Sequence, residues 1–111
     1  MVKVPDRGDL VWIDFEPQAG REIQKTRPAL VLSPGAYNGK TRLFIVCPVT
    51  SQVKGYPFEV PLPAGLPVGG AVLADQAQSM DWESRHARIA GRAPPEVVAE
   101  VTGKLAVLIG V

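Results

Sequence analysis

Arg27 and Thr50 are the residues whose types and positions best suit chemistry on a phosphate. Arg27 stands directly before Pro28 at the start of an apolar run, and a residue before proline is held in extended conformations. A guanidinium offers five donors in a planar fork that suits two oxygens of one phosphate. Thr50 adds a hydroxyl in the polar stretch "PVTSQVKGYP". The two residues predict a phosphate site, and the alternative is a surface arginine with a Thr50–Ser51 turn.

Other kinds of catalytic site find less support. The chain has one histidine and one cysteine, far apart and without the spacing of metal ligands. A carboxylate-only Mg²⁺ site stays open, but no acidic cluster indicates one. The stretch "GLPVGG" (65–70) follows no strand-to-helix pattern and indicates a turn. His86 lies in a charged stretch, and we expect it at the surface rather than in catalysis. No metal and no cofactor are expected.

Short apolar runs between eleven glycines and eleven prolines predict a mainly β protein, either a small barrel or a sandwich. If the second and third strands pair as antiparallel neighbours, the start of one lies beside the end of the other, and Arg27 then meets Thr50. Pro61 within a run indicates an edge strand. The predicted strands are "LVWIDF" (10–15), "PALVLS" (28–33), "RLFIVCPV" (42–49), "FEVPL" (58–62), "GAVLADQ" (70–76), "SMDW" (79–82) and "RIAGR" (88–92).

The C-terminal stretch "APPEVVAEVTGKLAVLIG" predicts a helix. Its apolar residues recur close to helical spacing, and Pro94 or Pro95 suits the first turn, where a missing N–H costs nothing. The helix could cover an open barrel end or a sheet edge, and its apolar excess could also serve a dimer interface. The spaced residues are Val97, Val98, Val101, Leu105 and Leu108.

Length and charge narrow the class of protein. A chain of 111 residues suits one domain, 1–111. No apolar run approaches the roughly 18 residues of a membrane span, and the N-terminus has no secretory h-region. The lone Cys47 fits a reducing compartment, so we expect a cytoplasmic protein.

Residues 17–54 hold six basic side chains against Glu22 alone. This local positive charge suits an anionic partner. The alternative is that these charges only keep surface loops solvated.

Five segments follow one another along the chain: "GDLVWIDFEP", "RPALVLSP", "CPVTSQVKGYPFEV", "AVLADQAQSMDW" and "LAVLIG". In this order they resemble the MazF/PemK family of toxin endoribonucleases from bacterial toxin–antitoxin systems. The resemblance implies an SH3-like β-barrel of the PemK/CcdB type, a homodimer, and a MazE-like antitoxin whose acidic tail blocks the RNA groove. It also implies sequence-specific, metal-independent cleavage of single-stranded mRNA that leaves 2′,3′-cyclic phosphate and 5′-hydroxyl ends.

The same resemblance assigns site residues. The family's catalytic arginine and threonine match Arg27 and Thr50, and an acidic residue implicated in activity matches Glu22. Some relatives carry a basic residue where this chain has Gln78, so the cleavage sequence stays open. The residues expected to contact RNA are Trp12, Asp14, Lys25, Ser51, Gln52, Lys54, Gln76 and Gln78.

The expected mechanism is attack of the RNA's own 2′-hydroxyl on the adjacent phosphorus. Arg27 and Thr50 would stabilise the charge that develops on the phosphate oxygens. A free arginine side chain has a pKa above about 12 and is a poor base at pH 7. The identity of the base therefore stays open. Arg27 could act with its pKa lowered by cations such as Lys25, Glu22 could accept the proton, or geometric alignment of the reacting atoms could suffice. A CcdB-like gyrase poison and a non-catalytic RNA- or peptide-binding barrel are the alternative functions.

Overall fold

Seven short strands and two helices make up the computed structural model, which describes residues 3–14 and 26–111. The prediction of a mainly β protein with a C-terminal helix is confirmed. In chain order the elements are β1 (Asp9–Asp14), β2 (Thr26–Val31), α1 (Gly35–Thr41), β3 (Leu43–Thr50), β4 (Glu59–Pro61), β5 (Ala71–Leu73), a 3₁₀ turn (Ala74–Gln76), β6 (Gln78–Asp81), β7 (Arg88–Arg92) and α2 (Pro95–Ile109).

The strands form one antiparallel sheet with the order β4-β5-β3-β2-β1-β7, and β6 also pairs with β3. Because β4 and β7 lie at opposite ends of this order within the described ranges, the sheet is not closed. The expected SH3-like barrel is therefore barrel-like at most. Pro61 lies in β4 at one end of the order, which confirms its prediction as an edge-strand residue.

Strand β3 changes partners along its length, and two prolines mark the change. Val46, Cys47 and Pro48 pair with β2, whereas Val49 and Thr50 pair with β5. Pro28 and Pro48 have no N–H and cannot donate a ladder bond. The β2–β3 ladder accordingly ends at the pair of Ala29 with Pro48. Beyond that pair the start of β2 and the end of β3 are free to diverge.

Both faces of the central strands are buried, which explains their nearly continuous apolar runs. One face contributes Leu10 and Leu30 to a core that extends to α2, and the other contributes Val11 and Val31 to a second core. Neighbouring residues of a strand point to opposite faces, so each strand supplies both cores. The central strands are therefore fixed from two sides.

Helix α1 was not predicted, because "GAYNGKT" contains two glycines and an asparagine, which are poor helix formers. Tertiary contacts hold it in place through Asn38, whose side chain is fully buried. The Asn38 amide donates to the carbonyls of Pro5 (2.8 Å) and Ser33 (3.0 Å), and its oxygen accepts from the Ser33 hydroxyl at 2.7 Å. A buried side-chain network thus outweighs local propensity.

Helix α2 begins at Pro95 and is capped by Gly110 in the left-handed region, at φ 82°. It packs against the 3₁₀ turn and β4, so it covers one edge of the sheet as expected. Val97 and Val101 enter the first core, whereas Leu108 is 49% exposed and lies outside the buried face. Neither helix in the described ranges is long and apolar enough to cross a membrane.

Two valines on α2 that differ in solvent exposure allow a matched stability test. We expect Val101→Ala, at a residue with no exposed surface, to lower the free energy of unfolding by about 1–3 kcal/mol through lost burial and a cavity. Val107→Ala, at a residue 75% exposed on the same helix, should change it by less than about 0.5 kcal/mol. Urea denaturation measures both, and equal losses would contradict this packing of α2.

Candidate active site

A cleft of about 810 Å³ opens where β2 and β3 diverge. Arg27 and Thr50 both line it, as their antiparallel placement predicts. Their catalytic roles stay predictions at this point, but the geometry places a guanidinium and a hydroxyl in one cavity. The described residues lining the cleft are Trp12, Thr26, Arg27, Pro28, Val49, Thr50, Ser51, Gln52, Pro67, Val68 and Gly69.

The two central residues are positioned differently. Arg27 is exposed at the start of β2, where Pro28 limits its backbone to extended conformations. Thr50 is half-buried at the end of β3, and its Oγ1 accepts the backbone N–H of Gln52 at 3.0 Å. That bond occupies an acceptor position of the hydroxyl and leaves its proton to donate. Both groups can therefore donate to an anion in the cleft.

The opposite wall of the cleft comes from Pro67, Val68 and Gly69, in the stretch that sequence reasoning treated only as a turn. Gly70 fixes this wall against β3. It has φ 116°, and a Cβ at this position would lie 2.0 Å from the Thr50 carbonyl oxygen. The adjacent glycines in the sequence could have indicated this close approach, because a backbone conformation restricted to glycine marks a turn or a close backbone contact.

A second cavity of about 180 Å³ adjoins the cleft and shares Thr50 and Gln52 with it. Lys54 and Gln76, which were predicted to contact RNA, also line it. The Tyr56 hydroxyl in this cavity donates to Asp75 at 2.7 Å. This bond to a carboxylate raises the pKa of Tyr56 to about 12, so the phenol stays protonated at neutral pH. The second cavity therefore offers hydrogen-bonding groups, the cation of Lys54 and the carboxylate of Glu59.

Glu59 anchors the segment that carries these polar groups. Its carboxylate is buried, and it accepts the backbone N–H groups of Lys54 (3.1 and 3.0 Å) and Gly55 (2.7 Å). Charge-assisted bonds of this kind are stronger than bonds between neutral groups. The stretch after Thr50 is therefore tied to β4. Sequence reasoning did not assign Glu59 any role.

Four of the predicted residues are not placed in either cavity. Glu22 and Lys25 lie outside the described residues. Gln78 is exposed on β6, opposite Val46 of β3, and lines neither cavity. Asp14 is buried at the end of β1, and its carboxylate contacts Thr26 and His86. Asp14 therefore supports a cleft residue, Thr26, and does not itself line the cleft.

The described part of the chain has few residues suited to metal binding or to thiol chemistry. Across residues 3–14 and 26–111, no group of three or more His, Cys, Asp or Glu side chains could hold a metal ion. Cys47 is buried, and burial raises the pKa of its thiol to about 12. A thiol in this state is a weak nucleophile and a weak ligand at neutral pH.

Comparison with known proteins shows the family of the chain. A family model described as a PemK-like, MazF-like toxin of a type II toxin–antitoxin system matches residues 6–109. The chain belongs to this toxin family. The endoribonuclease toxin MazF of Escherichia coli (strain K12) is 49% identical to it over 107 residues, which cover 96% of each chain. The E. coli endoribonuclease PemK is 35% identical over 108 residues, which cover 94% of this chain and 81% of PemK.

The fold agrees with the family as well. A chain of the MazE–MazF crystal structure (Form-II) from Deinococcus radiodurans superposes with a TM-score of 0.93 at 60% identity, with 98% of both chains covered. The protein is therefore a MazF-like endoribonuclease toxin of a toxin–antitoxin system, and the resemblance in sequence is confirmed. The names of its relatives favour a ribonuclease over a gyrase poison or a non-catalytic barrel.

The two adjacent glycines of the cleft wall give a matched test. Gly70→Ala should lower the free energy of unfolding by about 1–3 kcal/mol from backbone strain alone, and its Cβ would displace the Thr50 carbonyl. Gly69→Ala should be nearly neutral, because nothing lies within 4 Å of its added Cβ. Thermal denaturation compares the two variants, and equal melting temperatures would show that the wall does not pack on Thr50.

The contacts of Asp14 predict a pH dependence of stability. The hydrogen bond from His86, followed by that from Thr26, holds the pKa of Asp14 below its usual value. The ionised carboxylate therefore stabilises the fold above the unfolded-state pKa of about 3.9, and this contribution is lost as the pH falls through the folded-state pKa. Wild type should exceed Asp14→Asn in urea resistance at pH 7, and the difference should shrink near pH 2.5. A difference that does not change with pH would refute this.

Proposed function

We propose that the cleft between β2 and β3 binds the phosphate at which this protein cleaves single-stranded RNA. One observation carries the proposal: Arg27 and Thr50 reach the same cavity from neighbouring strands, and both have protons to donate. In the proposed reaction the 2′-oxygen forms a bond to phosphorus while the bond from phosphorus to the 5′-oxygen breaks. The 2′-hydroxyl loses its proton and the departing 5′-oxygen gains one, for which Arg27 is the candidate acid. The products are a 2′,3′-cyclic phosphate and a 5′-hydroxyl.

This reaction requires the protein to align the reacting atoms and to stabilise the charge that develops on the phosphate oxygens. The nucleophile is part of the substrate, so neither a water nucleophile nor a metal ion is required. Arg27 holds two phosphate oxygens and Thr50 donates to one of them, which stabilises negative charge as it develops. The need for a 2′-hydroxyl also selects RNA over DNA. Metal independence is part of the proposal, and cleavage in EDTA tests it.

The proton acceptor proposed for the 2′-hydroxyl is a residue outside the described part of the chain. No carboxylate or imidazole is among the described residues that line it. Tyr56 stays protonated in the adjoining cavity. We therefore retain Glu22 as the candidate acceptor, with Lys25 as a further RNA contact and Arg27 as the electrostatic stabiliser. If Glu22→Gln leaves the rate unchanged, proton removal by solvent and alignment of the reacting atoms account for the reaction.

RNA recognition is proposed along the two connected cavities. Trp12 borders the cleft while also packing against the first core, so a fixed indole is available for an unstacked base. Ser51 and Gln52 in the cleft, with Lys54 and Gln76 in the smaller cavity, supply donors, acceptors and a cation. Asp14 and Gln78 line neither cavity, so the RNA contacts proposed within the cavities do not include them.

The partners are proposed from the solved relatives. Chains 60% identical to this one come from MazE–MazF crystal structures, which supports a MazE-like antitoxin that covers the RNA cleft. We also propose a homodimer built on one domain per chain. Its mRNA substrate would place the protein in the cytoplasm.

The proposal predicts a large and specific effect of Arg27. With a single-stranded RNA library in EDTA, Arg27→Ala and Thr50→Ala should each slow cleavage by about 100- to 1,000-fold, as for loss of an oxyanion donor. Arg27→Lys should recover only part of the rate, because a lysine lacks the planar fork. Lys40→Ala is the matched control, since this exposed cation lies on α1 and lines neither cavity.

Three outcomes would count against this function. Nearly full activity of Arg27→Lys would mean that two-point phosphate binding is unnecessary. Loss of cleavage in EDTA that is restored by a divalent ion would exclude the metal-independent route. Cleavage of an RNA with one 2′-deoxy nucleotide at the mapped site would exclude attack by the 2′-hydroxyl.

A further inference from the structure

Asp14 connects three elements beside the cleft. It is the last residue of β1 and pairs in register with Thr26, the first residue of β2. One carboxylate oxygen accepts from the Thr26 hydroxyl at 3.3 Å, and the other lies 2.9 Å from Nδ1 of His86. Thr26 lines the cleft and directly precedes Arg27. The Asp14 side chain, only 12% exposed, thus lies between His86 and the strand that carries Arg27.

The turn that follows β6, residues 82–87, is built to present His86 to Asp14. Within the turn, the Asp81 carboxylate accepts the N–H groups of Glu83 and Ser84, both at 2.9 Å. The turn also docks on Asp14 through Arg85: the Asp14 N–H donates to the Arg85 carbonyl, and the Arg85 guanidinium donates to the Asp14 carbonyl, each at 3.0 Å. One backbone–backbone bond, one bond from the Arg85 side chain to the Asp14 backbone, and the side-chain contact of His86 therefore hold the turn to the end of β1.

His86 itself has an unusual conformation. Its φ is 54°, a left-handed value that is uncommon for residues other than glycine, although His, Asn and Asp adopt it more readily. This backbone directs Nδ1 to a buried carboxylate, while the side chain as a whole is 72% exposed. An uncommon conformation that makes one specific contact is a reason to look for a role.

We infer that His86 is a positioning residue for RNA cleavage, which acts through Asp14 and Thr26 to hold the strand of Arg27 at the cleft. The inference rests on the function proposed above. The Nδ1 of His86 can donate a hydrogen bond to the Asp14 carboxylate. Removing this donor should loosen the end of β1 and, through Thr26, the backbone that presents Arg27.

Charged groups of both signs surround the imidazole. Arg85 lies on the same turn, and Arg88 and Glu83 border with His86 a depression of about 330 Å³. Arg88 also donates to the His86 carbonyl at 3.5 Å. Arginine and carboxylate side chains keep their charge between about pH 5 and 8. Asp14 remains ionised over this range, since its contacts with His86 and Thr26 hold its pKa below the usual value.

Two substitutions of His86 test its donor role. In His86→Asn the side-chain amide replaces Nδ1 as a donor, whereas His86→Gly removes the donor; both residues accept the left-handed backbone. We expect His86→Gly to lower kcat/KM by about two- to fivefold, the range of a partly exposed polar contact. His86→Asn should recover most of this loss, because its amide can still donate to Asp14. Ser84→Ala, in the same turn and without contact to Asp14, should follow wild type.

Amide hydrogen exchange tests the same contact without cleavage. In His86→Gly the Asp14 amide should exchange faster, because the turn that accepts its hydrogen bond is less firmly held. Unchanged exchange together with unchanged kcat/KM would overturn the inference. So would a His86→Asn variant that behaves like His86→Gly. If Arg27→Ala still cleaved RNA, the proposed function would fail, and exchange at Asp14 would still report on His86.

Discussion

The pairing of β2 with β3 is the constraint on which the site depends. Three residue pairs, from Val31 with Val46 to Ala29 with Pro48, fix the register. Continued by two residues, that register leads to Arg27 and Thr50. A slip of one residue would reverse the faces of every side chain on a strand, and both faces here are buried. The hydrophobic core thus determines which cation and which hydroxyl share the cleft.

An open cleft at this position also requires the two strands to separate. Pro28 and Pro48 cannot donate ladder bonds, and β3 takes β5 as its partner from Val49 onward. Gly70 then lets the opposite wall approach the Thr50 carbonyl more closely than any side chain would permit. The cleft is therefore a product of backbone chemistry at prolines and a glycine. The polar side chains of the site therefore lie where β2 and β3 have already separated.

Buried polar contacts hold the edges of the site. Glu59 ties the stretch after Thr50 to β4 through backbone N–H groups, and Asp14 ties β1 to Thr26 and to the turn of His86. Groups fixed before the substrate binds need little reorganisation as charge develops, which is the condition for strong electrostatic stabilisation. Neither carboxylate lines the cleft itself. Among the described residues, the proposed phosphate site therefore carries the cation of Arg27 without an anion, while carboxylates outside it provide rigidity.

Sequence reasoning identified the parts of this site that follow from strand pattern. Arg27 before Pro28 and Thr50 after an apolar run were sufficient once antiparallel pairing was assumed, and the terminal helix followed from its periodicity. Helix α1 was not predictable, because Asn38 is stabilised by Pro5 and Ser33 rather than by its neighbours in the helix. His86 was correctly expected at the surface, but its contact with Asp14 joins residues 72 positions apart. Tertiary contacts of this kind leave no local signal.

The most direct test of the phosphate site is a crystal structure with an RNA that binds but cannot react. The RNA should carry a 2′-deoxy nucleotide at the mapped cleavage position, so that the nucleophile is missing and the phosphate is retained. We expect the guanidinium of Arg27 and the hydroxyl of Thr50 to lie within about 2.6–3.1 Å of oxygens of that one phosphate. A complex in which this phosphate contacts neither residue, with the RNA bound on another face, would contradict the assignment of the cleft.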